Sequence, residues 1–115
     1  MATVSKVYDG AAEMLGILET GKTLSANDTA RMTRAYDQVF DDLKESTLDA
    51  WPSSGPVPDR FVPHVEALMA FNASDTYLVP SEILQRIINK SSVAMREIRR
   101  LSIPDYESLD KPVDY

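Results

Sequence analysis

Apolar residues recur at three- and four-residue steps in four separate stretches of this chain, the spacing that turns one side of an α-helix toward a core. Val4, Val7, Tyr8, Ala11, Ala12 and Leu15 predict a first helix from Val4 to Leu15. Gly16 stops it, because glycine enters the left-handed conformation at little steric cost, and Ile17 and Leu18 can then fold back over the last turn. Gly10 falls inside this helix and weakens it; close packing against a neighbouring element accounts for its presence. A turn over 19–24 pivots on Gly21. Ser25 then offers a hydroxyl to the free amides of a second helix, and Asp28 is placed to reach back, a capping-box pattern. Its apolar stripe is Ala30, Met32, Ala35, Tyr36, Val39, Phe40 and Leu43, with Arg31, Arg34, Asp37, Asp41 and Asp42 outside, and it runs to Lys44 or Ser46. So short a connection predicts that the first two helices form an antiparallel hairpin.

Every proline lies at position 52 or later, and the run 51–58 (Trp-Pro-Ser-Ser-Gly-Pro-Val-Pro) cannot sustain helical hydrogen bonds. It is a loop, and Trp51 is expected to anchor it on the helical core rather than to stack a ligand. A third helix opens around Pro58-Asp59-Arg60 with Pro63 in its first turn. Phe61, Val65, Leu68, Met69 and Ala73 form its apolar face, and it ends before Tyr77. Pro80 and Glu82 open a fourth helix over 81–101, whose seam is Leu84, Ile87, Ile88, Ser91, Ala94, Met95, Ile98 and Leu101. Pro104 requires that helix to have ended by Ser102 or Ile103. The pattern therefore predicts an all-α fold: a four-helix bundle-like domain over 1–101, followed by an extended C-terminal arm over 102–115.

A chain of 115 residues supports one core. No apolar run reaches the length needed to cross a bilayer, so no membrane partner is expected. The first ten residues lack the basic and apolar blocks of a secretory signal. The absence of cysteine fits a reducing compartment and excludes thiolate metal sites and a disulfide framework.

Charge adds a contrast that periodicity does not contain. The fourth helix is basic, with Arg86, Lys90, Arg96, Arg99 and Arg100 against Glu82 and Glu97, whereas the arm sets Asp105, Glu107, Asp110 and Asp114 against Lys111. The arm is too short and too polar to pack on its own, but Ile103, Tyr106, Leu109, Val113 and Tyr115 offer spaced apolar anchors to another surface. The last-turn arginines complement the helix dipole. The basic set as a whole (Arg86, Lys90, Arg96, Arg99) can also face Asp37 and Asp41 of a neighbouring copy, or phosphates; the net charge of −6 ranks packing between copies above DNA contact.

Candidates for chemistry are few. His64, the only histidine, follows Pro63 with no nucleophile motif nearby, which points to a solvent-facing or capping role. Asp37, Asp41 and Asp42 lack a His or Glu partner at ligand spacing and read as a solvated face rather than a metal site. The four glycines are scattered, so there is no phosphate-cradling loop, and no carboxylate pair is singled out for glycan hydrolysis. No cofactor is expected, and a non-enzymatic role is.

The order of short motifs is nevertheless suggestive. Leu-Gly-Ile-Leu at 15–18, Leu-Ser-Ala at 24–26, Ala-Tyr-Asp-Gln-Val at 35–39, Trp51, Val-Pro-Asp-Arg at 57–60, Ile-Arg-Arg-Leu at 98–101 and the closing Val-Asp-Tyr together resemble the head-to-tail adaptor (connector) proteins of tailed bacteriophages, in the tail-accessory-factor or packaged-DNA-stabilising branch. The resemblance implies a structural virion protein, made in the host cytoplasm and placed at the neck, the head–tail junction. It implies a twelve-membered ring bound to the portal protein, which closes the DNA exit channel after packaging and seats the next tail or nozzle protein. Packaged DNA would pass through the ring without sequence-specific contact. In similar proteins the C-terminal arm reaches into the portal, a role that falls here on 102–115 and its five anchors. This chain is shorter than some members of that branch and lacks an obvious long insertion. The alternative from the residues themselves is a small helical DNA-contacting or regulatory module that uses the basic last helix.

Overall fold

The structure, a computed structural model, describes residues 2–19, 21–45 and 51–102. Its elements are four helices, α1 (Val4–Leu15), α2 (Ala26–Glu45), α3 (Val62–Ala73) and α4 (Ser81–Ser102), and the described residues contain no strand beyond one isolated bridge. The fold is all-α and bundle-like, as the periodicity predicts.

The helix ends follow from local chemistry. Thr3 Oγ1 accepts from the Lys6 amide at 3.3 Å to start α1. Gly16 closes it at φ 82°, and the Gly16 and Ile17 amides donate to the Glu13 and Ala12 carbonyls, which brings the chain back over the last turn. Ser25 Oγ accepts from the Asp28 amide at 3.1 Å, the expected half of a capping box at α2. The other half is absent: the Asp28 carboxylate turns away and accepts from the Tyr77 hydroxyl at 2.7 Å, because a tertiary partner from the α3–α4 turn competes for it. Pro63 sits in the first turn of α3, where its missing amide costs nothing.

The core is organised around α3. This helix packs on all three others, whereas α2 and α4 barely touch each other. Buried Val65, Ala67, Met69, Ala70 and Ala73 spread over more than half of its circumference, with Pro63, Phe71 and Asn72 left outside, and a helix buried on so wide a face belongs at the centre of a fold. The fourth helix has the longer seam but is not the centre. Of that seam Ile87, Ala94 and Ile98 are fully buried, Leu84, Ser91, Met95 and Leu101 are half-buried and Ile88 is exposed, so α4 lies along one flank. Ala30 is also exposed, and the buried face of α2 is carried by Met32, Ala35, Tyr36, Val39 and Leu43.

The proline loop is fastened at two points. Ala2 and Val57 exchange both backbone hydrogen bonds, at 2.9 and 2.8 Å, which ties the entry to α1 to the loop. Trp51 is buried, donating from Nε1 to the Tyr36 hydroxyl at 2.9 Å, with its ring 5.2 Å from Phe61 and 6.0 Å from Phe40. The core role read from the sequence is therefore the observed one.

Candidate functional site

Two surfaces and one groove concentrate the chemistry. The first surface is the outer side of α2, where Asp37 and Asp41 are exposed and Asp42 is half-buried and accepts from Gln38 at 3.2 Å. Among the described residues no group of His, Cys, Asp or Glu side chains is arranged to hold a metal ion.

The second surface is the outer side of α4. Arg86, Lys90, Arg96, Arg99 and Arg100 are all exposed. At ~100° per residue they spread over about half of the circumference: Lys90 and Arg86 lie toward one edge of the exposed arc, Arg99 toward the other, and Arg96 and Arg100 between them. Arg100 is held by Glu97 through two hydrogen bonds, at 2.8 and 3.1 Å, and that contact pulls the Glu97 carboxyl below its usual range and raises the guanidinium. His64 is half-buried on α3, close enough to Glu97 to favour its charge. Because α2 and α4 are joined through α3 rather than to each other, the acidic and basic surfaces sit on separate flanks and are not neutralised against one another within one chain.

The groove runs between α1 and the start of α3, lined by Lys6, Asp9, Gly10 and Glu13 on one side and Val62 and Glu66 on the other. Glu66 lies directly over Gly10, where a Cβ would collide with its carboxylate. This is the close packing that the glycine inside α1 predicts. Partial burial, and then the negative charge of Glu13, push the Glu66 carboxyl up to about 7, against an opposing pull from Lys90. Sequence reasoning missed Glu66. A signal was present, since it is the one carboxylate of the mostly apolar α3, at the level of the helix that meets a glycine.

The apolar anchors Ile103, Tyr106, Leu109, Val113 and Tyr115 lie outside the described residues. Among the described residues the two charged flanks are surfaces, and the groove is lined by three carboxylates and one lysine. Comparison with protein-family models, curated proteins and solved structures finds no match.

Proposed function

We propose that this protein is a structural adaptor that acts by assembly, in which copies pack side by side in a ring at the head–tail junction of a phage particle and the residues after α4 dock on the portal. The observation that carries this reading is the placement of exposed acids on α2 and exposed bases on α4, on separate flanks of α3. A heterologous contact that closes into a ring needs two different, complementary surfaces on one subunit, and such surfaces self-associate between copies rather than within one. Arg86, Lys90, Arg96 and Arg99 would face Asp37 and Asp41 of the next copy. The length of α4, about 33 Å at 1.5 Å per residue, carries the chain from one end of the domain to the other before the anchors begin.

Two outcomes test this reading. A chain truncated after Ser102 is expected to remain folded and helical, as judged by circular dichroism, and to lose the binding to a phage portal protein that the full chain shows. A truncated chain that still joins the portal, seen by electron microscopy of the mixture, would sink the tail assignment. In sedimentation velocity the free protein is expected to run as a monomer or a weak associate, with rings appearing only when portal is added; a stable ring of the isolated protein contradicts assembly on a template. The net charge of −6 weighs against the DNA-contacting alternative, because a duplex-binding surface has to neutralise phosphates.

A further inference from the structure

A small concave notch of about 160 Å³ lies beside the acids of α2, where α2 meets the end of α3 and the turn that follows. Its polar wall is Arg31, Arg34 and Gln38 from α2, and Asn72 and Thr76 from the other side. In a chain of net charge −6, two arginines converging on one concave spot are a departure from the average surface.

The two arginines are not equivalent. Arg31 is fixed: its guanidinium lies 5.3 Å from the centre of the Tyr77 ring and 3.7 Å from Asp28, and Asp28 in turn accepts from the Tyr77 hydroxyl. The tertiary contact that removes Asp28 from its capping role therefore serves to hold Arg31 in place. Arg34, one turn along the same helix, is exposed and makes no contact with a charged partner within the described residues. Gln38 gives one amide hydrogen to Asp42 and keeps the other.

We infer that this notch is a binding site for a single carboxylate, presented by an acidic side chain of a protein partner. Two guanidinium forks, two carboxamides and a hydroxyl supply donors to a planar, two-oxygen acceptor. The charge balance selects between anions. Asp28 offsets Arg31, and Asp42, which accepts from Gln38, borders the same notch and offsets part of the charge of Arg34; little net positive charge remains, which a singly charged carboxylate tolerates better than a doubly charged phosphate. The far wall strengthens the choice, because Asn72 and Ala73 close the C-terminal, partially negative end of α3. The site stands independently of the adaptor reading, and either can fail without the other.

The test is a titration of the ¹⁵N-labelled full chain at fixed ionic strength and pH 7, using N-acetyl-glutamate amide, its glutamine counterpart and inorganic phosphate. The glutamate compound is expected to shift the Asn72 and Thr76 amides and the Arg34 Nε signal along one saturable curve in the millimolar range, and the glutamine compound to leave them unmoved. R34Q, a change at an exposed helical position, is expected to weaken that binding about tenfold, the loss of one charge-assisted hydrogen-bonded contact, with Tm retained. Three results would each overturn the assignment: no saturable shift at the notch, an unchanged midpoint in R34Q, or saturation by phosphate at lower concentration than by the carboxylate.

Discussion

Replacement of Trp51 by alanine is expected to cost about 3–5 kcal/mol of folding stability, the range for truncating a large buried aromatic side chain. Against the ~5–15 kcal/mol that holds a domain of this size together, that is a large share, and on the order of 15 °C in Tm. The loss has three identifiable parts. The indole covers Phe40 and Phe61, so its removal leaves a cavity that neither ring can fill without leaving its own contacts. Its Nε1–H leaves the Tyr36 hydroxyl, and that phenol, whose pKa is already raised by burial, has no second hydrogen-bond partner among the described residues. The loop 51–58 then remains attached chiefly through the Ala2–Val57 bridge. Substitution by phenylalanine should retain most of the ring contacts and cost only about 1–2 kcal/mol, the value of the buried hydrogen bond. Urea denaturation followed by far-ultraviolet circular dichroism measures both variants. A loss below about 1 kcal/mol for W51A would mean that the loop anchor is not part of the cooperative core.

The second large effect is one of pH. The Glu66 carboxyl is pushed up to about 7 in the folded chain, from an ordinary value of 4.5, by burial first and Glu13 second. Below pH 4.5 both folded and unfolded chains hold the proton, and nothing is lost. Between 4.5 and about 7 the unfolded chain releases it more readily, so stability falls as pH rises, and above about 7 the loss is complete. Glu13 and Asp9 on α1 oppose the ionised form, while Lys6 on α1 and Lys90 on α4 favour it. Screening by the solvent that reaches this open groove reduces the full shift to about 1–2 kcal/mol. E66Q removes the titration. It is therefore expected to match the wild type at pH 4 and to exceed it by about 1–2 kcal/mol at pH 8. Parallel stability curves for the two proteins across that range would show that Glu66 ionises freely. G10A should act in the same direction, since its Cβ takes the space of the flexible Glu66 carboxylate and sends it into solvent, while alanine adds ~1 kcal/mol of helix propensity.

Much of this architecture is legible in the amino-acid order because it depends on short-range rules. The α1 stripe, the left-handed Gly16, the Ser25 cap and the Pro63 first turn are each decided within four residues, and each is found as expected. The burial of Trp51 followed from a large ring beside prolines needing somewhere to go. What periodicity obscured was the rank of the helices. A long amphipathic seam draws attention to α4, yet amphipathicity marks a helix with a wet side; the short α3, buried round more than half of its circumference, is the central one. The candidate surfaces were legible only in part. Exposed acids on α2 and bases on α4 follow from their stripes, but the separation of those flanks depends on which helices touch. The Glu66–Gly10 and Asp28–Tyr77 contacts join residues 56 and 49 positions apart, beyond any local rule.

The central place of α3 has one further consequence. In a closed ring each subunit would be gripped at α2 by one neighbour and at α4 by the other, and these two helices communicate through Val65, Met69 and their surroundings rather than by touching. In such a ring, the load at both contacts would pass through the same buried residues of α3, so a substitution at Val65 or Met69 would be felt on both flanks at once.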